Sequence, residues 1–287
     1  TFYDLALELG LPAERARNVR LLAAQAELRA SDAGGAIRRL EPLLAELAGQ
    51  RDEGRARLLL GDAYRSAGDP SKARATYRDL IAAAPDSAEA ADASFKVAET
   101  FGVPSPGPQR LDLAVAALEA FAKRYPAHEK ARIARYLVAL CQLSANRSEE
   151  ALTALRGFVE AHADEPLEEI AAARALIGDV LAGQGKLDEA IAAWRSYLAA
   201  HASHSAWERV QRAIVDTEYA RAERAIADER FAEARKLFED FGREHPLDER
   251  NAEILRRIGE SFASEQRWDD ARAALERCVK KYPGREE

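Results

Sequence analysis

The only residues in this chain that suggest nucleotide chemistry are Gly183-Gln184-Gly185-Lys186. A glycine-rich loop can cradle phosphate with its backbone N–H groups while a lysine neutralises the charge. That chemistry also needs a glycine separated by four residues from the Gly-Lys pair and a Ser or Thr after it, where Val180 and Leu187 stand. The run therefore reads as a turn between helices. His201 and His204, with His162 earlier, are the only candidates for a metal. Zinc takes about four ligands, and no Cys or further His lies close in sequence, so these are expected to be solvated loop residues. Cys141 and Cys278 fall at apolar helix positions far apart and are expected to be buried free thiols. Glu149-Glu150 and Asp269-Asp270 sit at helix starts, where carboxylates favour the helix dipole. Neither a Gly-x-Ser-x-Gly elbow nor a His-Glu-x-x-His pair occurs. No catalytic residue, cofactor or metal site is expected, and the chain is not expected to be an enzyme.

What positions these residues is a repeat. An alanine recurs at Ala36, Ala73, Ala114, Ala151, Ala190, Ala234 and Ala271, at intervals of 37, 41, 37, 39, 44 and 37. Twelve residues before six of these stands a small residue: Ala24, Gly61, Ala139, Gly178, Ala222 and Gly259. The seventh, Ala98, lies sixteen before Ala114, because Gly102–Pro108 lengthens the turn. Four residues after each alanine comes a large apolar side chain (Leu40, Tyr77, Leu118, Leu155, Trp194, Phe238, Leu275), and three further on another (Leu43, Leu80, Phe121, Phe158, Tyr197, Phe241, Cys278). Two antiparallel helices approach closely only where both crossing residues are small, and the i+4 and i+7 residues form one stripe. Pro85, Pro126, Pro246 and Pro283 stop four second helices, since proline lacks a donor and disfavours helix in the residue before it.

Composition agrees with an all-α reading: 47% hydrophobic, only 7% aromatic, and no β-alternating run. No apolar stretch approaches the ~18 residues of a membrane span. A net charge of -7 argues against nucleic acid as partner, which calls for a basic stripe. Two irregular places stand out. Gly102–Pro108 cannot be helical and is expected to protrude as a loop over 102–110. Ser205-Ala206-Trp207-Glu208 has the form of a capping box, and no Gly or Pro follows until Gly242, so one long helix is expected over 206–228.

These residues resemble the tetratricopeptide repeat superfamily. The fullest match is Leu60-Gly61, Tyr64, Gly68-Asp69, Ala73, Tyr77, Pro85, followed by Ile177-Gly178, Leu181, Gly185, Ala190, Trp194 and by Ile258-Gly259, Phe262, Trp268, Ala271. The resemblance implies an α-α superhelix, a single solenoid over 1–287 of about seven hairpins: 12–49, 54–86, 88–125, 128–162, 166–201, 205–245 and 249–282. Thr1–Leu9 reads as the end of a preceding helix stopped at Gly10-Leu11-Pro12, and the array is expected to be a fragment of a longer protein. Hairpins ending in Lys123-Arg124-Tyr125-Pro126 and Lys280-Lys281-Tyr282-Pro283 look like the bacterial envelope subset, including the outer-membrane assembly lipoprotein and the Tol-Pal-associated repeat protein. A weaker similarity, through Trp207, Val210-Gln211, Ile214 and Glu218-Tyr219, is to repeat regions of bacterial alpha-2-macroglobulin-like proteins.

The implied function is a non-catalytic scaffold that binds a partner segment in a concave groove, in envelope assembly or maintenance, with a periplasmic or envelope location. The alternative is an accessory repeat region of a larger envelope enzyme or of a protease-trapping protein. In this superfamily the first helices line the groove. The residue after each small Gly or Ala reads Gln25, Asp62, Glu99, Leu140, Asp179, Glu223, Glu260, and the apolar steps include Phe95, Tyr136 and Tyr219. Asp62, Phe95, Glu99, Tyr136, Asp179, Tyr219, Glu223 and Glu260 are thus the expected groove, an acidic ladder suited to a protein or peptide with Lys or Arg between apolar residues. Self-association is a further possibility.

Overall fold

The computed structural model describes residues 2–8, 10–163, 165 and 167–282. Within them the chain is all-helical, without strands: α1 (Phe2–Glu8), α2 (Ala13–Arg29), α3 (Ala33–Glu46), α4 (Glu53–Ser66), α5 (Pro70–Ala83), α6 (Ala88–Glu99), α7 (Leu111–Arg124), α8 (Ala131–Ser144), α9 (Ser148–Ala161), α10 (Glu168–Gly183), α11 (Leu187–Ala200), α12 (Trp207–Ala227), α13 (Phe231–Glu244), α14 (Asn251–Ser264) and α15 (Trp268–Lys281). They form two compact units, Thr1–Phe158 and Val159–Glu287, divided inside α9. The expected stop at Pro283 lies outside the described residues, as does Leu9.

Each hairpin is built the same way. Five residues before the recurring alanine the backbone turns left-handed, at Ser31, Gly68, Asn146, Gly185, Glu229 and Gln266, with φ between 58° and 79°. Only the lengthened turn departs, using Gly102 at φ 92°. A single left-handed residue reverses the chain after a helix, so the second helix folds back at once. Asp32 and Asp69 cap second helices by accepting from Gly35 N at 2.7 Å and Lys72 N at 2.9 Å. Second helices end where expected: Ala84, Tyr125 and His245, each before a proline, leave the helical region. His201 does the same with Ala202 after it, so the stop does not depend on proline.

All seven recurring alanines are buried, none more than 5% exposed. Residue sizes are matched at some of the crossings, although Ala222 shares its crossing with the bulky Phe238. At Gly61, Gly178 and Gly259 the second helix seats a side chain too close for a methyl group. A Cβ on Gly61 would lie 2.9 Å from Tyr77 Cζ, and one on Gly178 only 2.7 Å from Trp194 Cε2. Where the first helix offers Ala24 or Ala139, the facing residue is Leu40 or Leu155.

The turn after α6 is only partly a protrusion. Pro104 and Ser105 are exposed, whereas Pro106 is buried and Val103 packs on the cores of the hairpins on either side. An apolar Val and Pro in a short loop gain more from that cover than from solvent. The long helix α12 has 21 residues against 14 in its neighbours α11, α13 and α14. The capping box does not form: Ala206 is the cap residue, without a side-chain cap bond. His204 Nδ1 instead accepts from Ala206 N at 3.3 Å and takes the Tyr197 hydroxyl at 2.6 Å.

Candidate protein-binding faces

The two rows expected to line a groove lie differently in the structure. The apolar row stands three residues before the small residue, nearly one helical turn, and so shares its inward stripe. Leu21 is wholly buried, Ala175 is 2% exposed and Phe95 is 7% exposed. Phe95 packs edge-on against Phe121 of its own hairpin at 5.3 Å. It is a core residue and not an open platform. Tyr136 and Tyr219 are half-buried, each tilted on its hairpin's second helix, against Phe158 at 5.5 Å and Phe238 at 5.9 Å.

The acidic row is half-buried and occupied. In the N-terminal unit, Asp62 accepts from the Tyr77 hydroxyl at 2.7 Å and from Lys96 Nζ of the next hairpin at 2.7 Å. Glu99 faces Arg65 at 4.0 Å. In the C-terminal unit, Asp179 accepts from Trp194 Nε1 at 3.1 Å and from Arg209 at 3.0 Å. Glu223 meets Arg257 of the next hairpin at 3.4 Å, and Glu260 binds Arg256 and Arg257. Except at Glu260, whose arginines lie on its own helix, the row is thus a set of joints between hairpins and not a bare acidic ladder. Sequence patterning showed the acids at one register. Their cations, Lys96 and Arg257, stand two residues before the next small residue, a spacing that becomes meaningful only once hairpins stack.

Burial sets the chemistry of the remaining candidates. The Tyr77 hydroxyl titrates far above its ordinary value, first through burial and then through the Asp62 carboxylate, so it remains a donor. Burial pushes the Cys141 thiol up to about 11, which makes it a poor nucleophile. The histidines are half-buried in their loops and make specific contacts. His201 is held below its usual range by burial, with Arg174 and His204 adding repulsion, and its ring lies 5.6 Å from that of Tyr197. His162 Nδ1 contacts Glu165 at 2.7 Å.

Among the described residues one trio, Glu218, Glu244 and His245, places possible metal-ligand atoms within 4.8 Å of one another. A protein cation already occupies it: Arg195 Nη2 lies 2.5 Å from Glu218 and 3.2 Å from Glu244, and His245 Nε2 is 2.7 Å from Glu218. Glu218, only 6% exposed, thereby ties α11, α12 and the end of α13 together. A buried carboxylate needs such partners. Nothing in the local sequence of Glu218 indicated this role.

The C-terminal unit also holds a cleft of about 680 Å³ between the N-terminal turns of α12 and the turn into α14. Trp207, Gln211, Arg212 and Val215 form one wall, and Asp248, Glu249 and Arg250 the other. Arg250 is anchored by Asp248 at 2.8 Å and Asp216 at 2.9 Å, and lies 5.1 Å from the Tyr219 ring centroid. Those bonds, led by Asp248, raise the Arg250 pKa further above its ordinary value. The Asp248 carboxyl sits below the usual carboxylate range, mainly through Arg250. The two extra turns of α12 create this cleft, and it presents an indole and a valine beside charged groups.

No helix among the described residues is long and apolar enough to cross a membrane. No curated protein matches the sequence significantly. Among solved structures, the apo form of RapI is similar over 96% of this chain and 77% of its own, with a TM-score of 0.53 and 15% identity. A tetratricopeptide repeat protein from Parabacteroides merdae ATCC 43184 is similar over 95% of both chains, with a TM-score of 0.49 and 12% identity. One tetratricopeptide repeat profile matches residues 54–96. A second matches 109–166, 145–205 and 219–286, more than half of the chain by itself. With repeated helical hairpins, small residues at every crossing and that family match over more than half of its length, the chain belongs to the tetratricopeptide repeat family.

Proposed function

We propose that the chain is a non-catalytic scaffold whose first helices receive segments of partner proteins, with the cleft beside α12 as the main seat in the C-terminal unit. The observation that supports this is the cleft itself: Trp207 and Val215 offer apolar area, while Arg212, which is exposed, and Glu208 flank them with charge. Clefts with an aromatic anchor and a polar rim suit peptide segments. The exposed parts of Asp62, Glu99 and Tyr136 in one unit, and of Asp179, Tyr219, Glu223 and Glu260 in the other, extend the proposal to the remaining first helices. A basic and apolar partner segment there competes with Lys96, Arg209 and Arg257 for the same carboxylates. Such binding exchanges one ion pair for another, so it is modest in affinity and weakened by salt.

A photo-crosslinking residue placed at Gln211 tests this reading in cells, with the same residue at Glu119, exposed on a second helix, as control. Discrete adducts at position 211, lost on Trp207→Ala, are expected. Equal labelling at both positions refutes it. An envelope setting in assembly or maintenance belongs to the same proposal, supported by the Tyr-Pro hairpin endings, and fractionation of cells expressing the parent protein checks it.

A further inference from the structure

The cleft beside α12 exists because one helix overshoots the next. Trp207 begins α12 fifteen residues before the small residue Ala222, whereas Asn251 begins α14 only eight before Gly259. Those small residues mark the crossing in each hairpin, so α12 runs on for seven further residues, about 10 Å. There the turn at Asp248, Glu249 and Arg250 faces it instead of a helix. Helix α11 packs on α12, and α13 links α12 to α14, so the opening lies within the stack. It is the space that two more turns of α14 would fill.

Two rows of side chains run down this overshoot. Trp207, Gln211 and Val215 make one, and Glu208, Arg212 and Asp216 make the next. Residues four apart on a helix lie one above the other, about 6 Å apart. The first row is apolar at both ends with an amide between them. The second alternates negative, positive, negative.

These charges are not equally engaged. Asp216 reaches Arg250 across the cleft at 2.9 Å, and Asp248 holds the same guanidinium at 2.8 Å. Glu208 and Arg212 are exposed, and among the described residues their side chains bond to nothing. They stand four apart in the order that favours an ion pair along a helix, yet remain separate. The other three arginines of α12 are all engaged: Arg209 with Asp179, Arg221 with Asp188 and Arg224 with Gly185 O.

We infer that the overshoot docks two turns of an amphipathic helix from a partner protein, which rests on the cleft being the protein seat proposed above. The partner's apolar row covers Trp207 and Val215. Beside it, a cation meets Glu208 and, four residues away, a carboxylate meets Arg212. Two helices share the same ~6 Å row spacing, so both charge pairs form without stretching either chain. The order of the two charges then sets the direction in which the partner lies.

Two fluorescein-labelled alanine-based peptides test this, each held helical by a lactam on its far face and carrying leucines four residues apart. In one, lysines flank the first leucine and glutamates the second; in the other the charges are exchanged. Anisotropy at low salt is expected to show saturable binding, with one peptide preferred about tenfold and both weakened by Trp207→Ala. The double variant Glu208→Lys, Arg212→Glu is expected to reverse the preference. Arg212→Glu alone, which leaves the first turn of α12 intact, is expected to erase it. Equal binding of the two peptides, no binding of either, or a preference that survives both variants overturns the inference. Self-association lost on Trp207→Ala, seen by sedimentation, assigns the cleft to a second copy and overturns it too. Crosslinking at Gln211 separates this inference from the reading beneath it. Adducts that persist in the double variant leave the seat standing and remove only this partner chemistry, whereas a lack of adducts in the unmodified chain removes the seat itself. Both charges are exposed and unbonded, so circular dichroism of the variants is expected to match the unmodified chain.

Discussion

Replacing Gly178 by alanine puts one methyl group into the tightest crossing of the C-terminal unit. In isolation the change should help, because alanine is favoured over glycine inside a helix by about 1 kcal/mol. The structure reverses the sign. The new Cβ would stand 2.7 Å from Trp194 Cε2 and closer still to Cδ1 and Nε1, where ordinary contact begins near 3.4 Å. The indole must move by roughly 0.7 Å or more, and overpacking of this kind costs ~1–3 kcal/mol. Trp194 Nε1 also donates to Ala175 O at 3.2 Å and to Asp179 at 3.1 Å, and loss of one such bond costs ~1 kcal/mol. The net expectation is destabilisation by about 1–3 kcal/mol. Gly157→Ala is the control: it meets nothing within 4 Å, and should stabilise by up to ~1 kcal/mol. Trp194→Leu combined with Gly178→Ala recreates the Ala–Leu pairing of Ala24 with Leu40, so the double variant should recover much of what each single variant loses. Urea unfolding followed by circular dichroism reads these effects as midpoints, which suits a stack whose hairpins need not unfold together. Gly178→Ala at least as stable as Gly157→Ala, or strict additivity in the double variant, would refute the size-matching argument.

Other outcomes follow from the same physics. Glu223→Arg and Arg257→Glu should each lower the urea midpoint by the equivalent of ~0.5–1 kcal/mol, the double reversal should restore only part of it because Arg257 also pairs with Glu253 at 3.0 Å and with Glu260, and 1 M salt should shrink all three differences. Restoration that fails even at low salt would count against the hairpin-joint reading. His201 is held neutral in the fold, below its ordinary value, so the unfolded chain binds the extra proton first. Its contribution is complete above about pH 6.5 and is lost as pH falls below that; the thermal midpoint should drop between pH 7 and 5, and His201→Phe should flatten the drop. Glu229 turns the chain at φ 59°, a conformation that favours glycine, so Glu229→Gly should raise stability by roughly 0.5–1 kcal/mol in the same unfolding assay.

The hairpin plan was written in the chain because its period is local. Small residues twelve apart, apolar residues at i+4 and i+7, and helix stops before Pro85, Pro126 and Pro246 depend only on neighbours within one supersecondary unit. Ala36 through Ala271 could therefore be placed before any contact was known, and so could the length of α12. What each face does was not local. Phe95 looked like an open aromatic step, but its three-residue spacing from Ala98 turns it into the core against Phe121. Asp62 and Glu223 looked like free acids until stacking brought Lys96 and Arg257 to them. Glu218 gave no sign of its role, because Arg195 and His245 reach it from 23 and 27 residues away. Sequence alone determined that this chain makes helical hairpins with small crossings. Only the tertiary structure decided which charges are spent inside the stack, such as Asp62 on Lys96 and Glu218 on Arg195, because pairing depends on distances that local spacing does not set.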